Sequence, residues 1–261
     1  MSKPPCFFVQ NFHMDRITIP VAQFAHREGI ALEDRSTSST FDPENCGIDW
    51  DAYGPILPCG SVQLVRHLKR SKRLGRYILH DDISFGASTW QETLGNRMLN
   101  ADGRVVRARD VPAILAEGDA HIRPNAEDKA FHARVFDLPQ WNAVVEERGL
   151  SPETSCWLSP VKPIKAEWRC WIVGGRLVEA SQYRQDGQKA RVRGVPQEVA
   201  TFVEQVAKTW LPAPCVVMDI ADTADGLRVL EFNPIHGAGW YAADVPTILR
   251  AWLAWSVENL T

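Results

Sequence analysis

The sequence predicts an α/β fold built of unlike parts, and three observations carry that expectation. Over about the first 110 residues, short apolar runs alternate with helical stripes, the pattern of strands and helices in a parallel α/β unit. From Glu167 onward the apolar runs come in pairs joined by tight turns, Gly174-Gly175 and Asp225-Gly226, which signals antiparallel hairpins. Two amphipathic stripes, Pro196 to Trp210 and Asp244 to Val257, supply helices for the same region. The expected organisation is an N-terminal α/β domain over residues 1–110, then a small lobe (about 115–160) and a larger C-terminal lobe (161–261) that together span 111–261.

Taken in order, the first strand is expected at Cys6-Phe7-Phe8-Val9 and the first helix across Pro20 to Arg27, stopped by Gly29. A strand lies near Ile56-Leu57. Ser61 then caps a helix through Val62, Val65 and Leu68, followed by a strand at Tyr77-Ile78-Leu79-His80. The middle section holds a strand at His121-Ile122-Arg123-Pro124, a polar loop from Asn125 to Lys129, and a helix from about Pro139 to Gly149. The strand Cys156-Trp157-Leu158 runs into Ser159-Pro160-Val161-Lys162-Pro163, whose prolines stiffen it into a hinge between lobes. Glu167 to Val173 and Arg176 to Arg184 form the first hairpin. The last helix starts at Asp244 with Pro246 in its first turn, and its aromatic stripe is core packing.

Composition narrows the function classes. With 45% hydrophobic and 23% charged residues and a net charge of -3, the chain reads as an ordinary soluble globular protein with no sign of general nucleic-acid or anionic-membrane binding. The basic run Arg66 to Arg73 suits the solvated C-terminal end of a helix. Six cysteines without CxxC pairing, several inside apolar runs, argue against zinc and structural disulfides. No signal peptide and no bilayer-length apolar run is present, so a cytoplasmic setting is expected.

The most informative segment is the second hairpin, Val216-Val217-Met218-Asp219-Ile220 and Val229-Leu230-Glu231-Phe232-Asn233-Pro234. A turn centred on Asp225 sets Asp219 opposite Glu231, with Asn233 two residues on and on the same face. Two opposed carboxylates repel, and the arrangement makes sense if a cation lies between them. An oxygen-only Asp219, Glu231 and Asn233 set suits Mg²⁺, with Mn²⁺ as the alternative ion. The competing reading is a pair of solvated residues on an outer face.

With the strand Ile122-Arg123-Pro124, the segment Ser159-Pro160-Val161, the Glu167-x-Arg169 strand, Asp219, and Glu231-x-Asn233-Pro234 followed by Gly237 and Gly239, the chain resembles the ATP-grasp superfamily. The resemblance is good over roughly Ala120 to Tyr241, and the N-terminal third resembles the pre-ATP-grasp domain of such enzymes. It implies the ATP-grasp fold, ATP between two antiparallel sheets, and the adenine edge held by main-chain groups of Ser159, Pro160 and Val161. It also implies nucleotide contacts from Arg123, standing where a lysine is common, and from Lys129 and Glu167. Arg169 would point at the γ-phosphate, and Arg184 would hold the transferring group or an acid substrate. The flap Ala126 to Arg134 departs from the family pattern in having no glycine.

The alternatives for single residues stay open at this point. Lys129 reads equally as a surface lysine, Glu167 and Arg169 as a surface ion pair, and His236 as a base towards an incoming amine or a bystander. The resemblance implies an ATP-dependent ligase joining a carboxylate to an amine through an acyl phosphate. Its substrates would be small molecules or peptides. Phosphoryl transfer to a hydroxyl, and a scaffold that binds ATP without turnover, are the competing readings.

Overall fold

A computed structural model of the chain describes residues 3–10, 15–35, 41–126 and 129–260. Glu127 and Asp128, in the expected polar loop and flap, lie outside the described residues. The first sheet is parallel, with the order β2-β1-β3 formed by β1 (Cys6–Gln10), β2 (Ala31–Arg35) and β3 (Ile56–Cys59). Every residue of β1 is buried, because helices cover both of its faces. Phe7 and Val9 pack with Val21 and Phe24 of α1 (Asp15–Glu28), while Cys6 and Phe8 pack with Leu64, Val65 and Leu68 of α2 (Val62–Lys69). Ser61 caps α2, its Oγ accepting from Leu64 N at 3.2 Å. α2 ends at Lys69 with Arg66, His67 and Lys69 in its last turn, so the basic run sits where the helix dipole favours it.

The small-lobe sheet is antiparallel, in the order β4-β7-β5-β6. Between the first sheet and this one lies α3 (Ala87–Leu94); the lobe then comprises β4 (Arg104–Arg107), α4 (Val111–Leu115), β5 (Ala120–Pro124), β6 (Arg134–Phe136), α5 (Leu138–Arg148) and β7 (Ser155–Pro160). Its core is Ile122, Phe136, Trp141 and their neighbours. β4 pairs with β7, so this sheet draws a strand from within the 1–110 segment expected to form the first domain.

The large-lobe sheet runs β10-β9-β8-β11-β12, all antiparallel, from β8 (Ala166–Val173), β9 (Arg176–Gln185), β10 (Gln188–Arg193), β11 (Cys215–Thr223) and β12 (Gly226–Pro234). Gly174 and Gly175 close β8–β9 with φ of 58° and 75°, the two left-handed residues of a type I′ turn. One face packs on α6 (Gln197–Thr209) and α3 through Val203, Val206 and Trp90. At one end of the other face, Trp171, Val173, Cys215 and Val217 join Phe7, Val9 and Trp252 of α7 (Val245–Asn259) in a single core. The first sheet and the large sheet therefore share one apolar interior. Tyr77 to His80 is not a strand; Gly75–Tyr77 is a 3₁₀ turn, and Tyr77 and Ile78 are apolar because they fill the α2 side of the first sheet. All six cysteines are free thiols and five are buried. No described helix is long and apolar enough to cross a membrane.

The loop after β12 is fastened to the first sheet. Gly60 N donates to His236 O at 2.9 Å, and a Cβ on Gly237 would fall 2.4 Å from Gly60 O. Gly237 is needed for backbone-to-backbone approach, whereas a Cβ on Gly239 meets nothing nearer than 3.9 Å. Gly237→Ala should therefore destabilise the fold by about 1–3 kcal/mol while Gly239→Ala changes it little, as read from urea midpoints of the two variants.

Candidate functional site

A cavity of about 430 Å³ opens between the small-lobe and large-lobe sheets. One end is apolar, walled by Leu99, Pro160, Ile164 and Leu230; the other end is charged. Six cationic side chains line it (Arg123, Lys129, Arg134, Lys162, Arg169 and Arg184) against three carboxylates, Glu167, Asp219 and Glu231. Such an excess suits a polyanion.

The carboxylates are set by strand register. Asp219 on β11 faces Glu231 on β12 on one side and Arg169 on β8 on the other. The β11–β12 turn pairs Thr223 with Gly226, so its centre falls between Ala224 and Asp225, half a residue before the expected one. A β-bulge at Leu230 then shifts the ladder by one, and Asp219 meets Glu231 as expected. The same bulge turns Leu230 into the cavity beside Glu231, where strict alternation would have hidden it.

Arg169 is committed to Asp219. Its Nε donates to Oδ1 at 2.8 Å and its Nη2 to Oδ2 at 2.6 Å, a bidentate fork between two buried side chains. The surface ion-pair alternative for Glu167 and Arg169 is thereby replaced, since Arg169 pairs across the sheet and Glu167 pairs with others. Tyr183 Oη donates to Glu167 Oε2 at 2.6 Å, burial and the nearby carboxylates keeping that phenol protonated, and Arg184 Nη1 reaches Oε1 at 3.3 Å. Tyr183 and Tyr241 stack with ring centroids 4.9 Å apart, and the Arg169 guanidinium lies 5.0 Å from the Tyr241 centroid. Arg184 is half exposed at the cavity edge.

On the small-lobe side, Arg123 rests over the Trp90 ring at 4.4 Å and donates to Glu231 Oε2 at 3.3 Å. Lys129, left-handed at φ 54° in the glycine-free flap, donates to Asn233 Oδ1 at 3.4 Å. The Asn233 amide in turn donates to Glu231 Oε1 at 3.0 Å and to Asp219 Oδ2 at 3.5 Å. Burial pushes the Asp219 carboxyl up to about 6 despite Arg169, with Glu231 adding to the rise. Burial also opposes charge on Glu231, but Arg123, Lys129, Asn233 and Arg169 outweigh it and hold the group down to about 2. The donor set fits a hard divalent cation that takes two protein carboxylates and completes its shell with water and phosphate. Asn233 ties the two carboxylates together here, its own Oδ1 being turned to Lys129. No group of three His, Cys, Asp or Glu side chains able to cage a metal exists among the described residues.

Two expected residues fall elsewhere. His236 does not face the cavity: it is buried, Nδ1 stands 2.9 Å from Pro58 O, and Nε2 accepts from Leu79 N at 3.0 Å. Both ring nitrogens are spent on the backbone, and burial lowers its pKa to about 4, so it is a neutral structural clamp and no base. In the hinge, Ser159 is fully buried and Val161 is 46% exposed, while Pro160, Lys162 and Ile164 line the cavity. Sequence reasoning passed over Tyr183, Tyr241, Leu230 and His121; only the register and the loop path bring them to the wall.

The sequence model of an ATP-grasp domain family, the third family of its clade, matches residues 61–252. No curated protein matches the chain. Among solved structures, a RimK domain ATP-grasp protein from Sphaerobacter thermophilus is similar at 16% identity and a TM-score of 0.62, with 98% of each chain covered. The D-alanine–D-alanine ligase from Bacillus anthracis is similar at 11% identity and TM-score 0.61, again over 98% of both chains. The ATP-grasp ligase PsnB, solved with minimal precursor, Mg and ADP, aligns at 14% identity and TM-score 0.55, over 96% of this chain and 98% of that one. At these identities the likeness is one of fold.

Arg169→Ala should destabilise the protein by about 3–5 kcal/mol, because it strands Asp219 as a buried, uncompensated charge. Arg169→Lys should recover part of that, a single ammonium being unable to reproduce the fork. Chemical denaturation of both variants checks the order. The pH dependence is also set. With His236 lowered to about 4 in the folded state, the unfolded chain binds the extra proton first, so stability falls as pH drops from about 6.5 towards 4. In His236→Gln the slope of stability against pH over that window should be smaller than in the wild type.

Proposed function

Because the chain belongs to this third family of its ATP-grasp clade, we propose that it is an ATP-dependent ligase joining a carboxylate to an amine. The observation that carries this reading is the buried Asp219–Glu231 pair at the cationic end of a cavity whose other end is apolar. A nucleotide has the same polarity, a flat base at one end and a polyanion at the other. The base would enter the slot of Leu99, Pro160, Ile164 and Leu230, with the hinge backbone offering hydrogen bonds to its edge.

In the proposed reaction a substrate carboxylate oxygen takes the γ-phosphoryl group, the bond to the β,γ-bridging oxygen breaks, and ADP leaves. The amine nitrogen then attacks the acyl carbon, the bond from that carbon to the phosphate oxygen breaks, and nitrogen loses a proton as the amide forms. The first step exchanges oxide, a very poor leaving group, for phosphate. Arg123 and Lys129 would hold the phosphates, and Arg184, the more exposed arginine, would meet the acid or the transferring group. Asp219 and Glu231 would hold Mg²⁺, which when bound screens and orients the triphosphate. Arg169 would act by fixing Asp219. Acid and amine would be small molecules or peptide side chains. A non-catalytic ATP-binding role is favoured by one feature, the flap without glycine.

MgATP should raise the melting temperature, with about 2.7 kcal/mol of stabilisation at a hundredfold excess over Kd. Glu231→Gln, nearly isosteric, should reduce ADP release by roughly tenfold or more while the nucleotide-free protein stays folded. ADP release measured with acid pools, amine pools and both together identifies the activity. A ligase needs both, a phosphotransferase turns over with one hydroxyl substrate, and a binding protein with none.

A further inference from the structure

At the hinge side of the cavity wall, His121 and Arg123 share the cleft face of β5, while Ile122 between them enters the small-lobe core. His121 stands directly across the ladder from Ser159 on β7. Its Nδ1 lies 3.4 Å from Ser159 Oγ and 3.4 Å from Asn100 Nδ2. An amide NH₂ has no lone pair to offer, so Nδ1 is the acceptor and the ring proton sits on Nε2. Asn100 is buried and fixed in turn, its carbonyl accepting from Trp157 Nε1 at 3.1 Å.

Among the described residues, no protein group takes the Nε2–H of His121, and the ring lines the cavity. Burial, then the charges of Arg123 and Lys162, keep the imidazole neutral, with a pKa lowered to about 4. The strand repeat sets His121 about 7 Å from Arg123, on the hinge side. A neutral, aimed N–H between two cations adds direction and no further charge.

We propose that His121 binds the nucleotide, its Nε2–H donating to an acceptor between the base edge and the triphosphate, either a purine ring nitrogen or an α-phosphate oxygen. This rests on the ATP reading of the cavity and adds a residue that its charge pattern does not reveal.

Calorimetric titration of MgATP, 7-deaza-ATP and adenosine into the wild type, His121→Leu and His121→Gln tests it. His121→Leu should weaken MgATP binding roughly threefold to tenfold, one hydrogen bond's worth. His121→Gln should keep most of the affinity, because its amide nitrogen takes the place of Nε2. If the acceptor is N7 of the purine, 7-deaza-ATP binds the wild type with the same loss and is indifferent to His121→Leu. If it is the α-phosphate, 7-deaza-ATP behaves like ATP and adenosine is indifferent to His121→Leu. Equal MgATP affinity in His121→Leu and wild type overturns the assignment, as does an equal loss in the Leu and Gln variants. Nitrogen chemical shifts placing the ring proton on Nδ1 overturn it as well. A wild-type chain that binds no MgATP refutes the nucleotide reading instead.

Discussion

A row of four charges organises the molecule: Arg169, Asp219, Glu231 and Arg123. The first three sit side by side on β8, β11 and β12, and the fourth reaches in from the small lobe. The order is cation, anion, anion, cation. Each end is satisfied, by a bidentate fork at Asp219 and a longer contact to Glu231, while the middle brings like charges together on buried strands. Burying either carboxylate alone would cost several kcal/mol, so the strands must hold a register that supplies both cations. What remains unsatisfied is the centre, where an added divalent ion would remove the repulsion.

The cleft also depends on a clamp well away from it. His236 bonds Pro58 O and Leu79 N, Gly237 abuts Gly60, and Trp240 Nε1 donates to Ile17 O at 3.0 Å. Together with the apolar interior shared by β1, α7, β8 and β11, these contacts fix the path of the loop that ends in Tyr241. Tyr241 adopts φ 51°, a costly setting for a non-glycine residue, and it is held there against Tyr183 and Arg169. The first sheet thus acts on the site through the backbone of this loop.

Much of this was legible in the sequence where a local rule governs. Ser61 and Asp244 cap their helices, Gly174-Gly175 makes its turn, and Asp219 faces Glu231. The failures share a cause, which is dependence on partners distant along the chain. His236 looked like a loop histidine because its partners lie 178 and 157 residues away. Arg169 was expected to face the phosphates, but the residue across the sheet is Asp219, and a buried carboxylate takes the nearest guanidinium. β10 reads Gln-Lys-Ala-Arg-Val-Arg because an exposed edge strand needs no apolar face. Tyr77 and Ile78 mimic a strand because burial alone selects such residues.

The bulge at Leu230 carries one more consequence. Ile220 pairs with Val229 and Asp219 with Glu231, so Leu230 is the one residue of β12 in this stretch without a counterpart. Excising it would join Val229 to Glu231 and leave a regular ladder in which both pairs persist. The carboxylates would keep their places, Val229 would stay in the core, and only a leucine would vanish from the apolar slot. Length and chemistry are thereby decoupled on this strand: the slot can be widened or narrowed by one residue without disturbing the charges beside it.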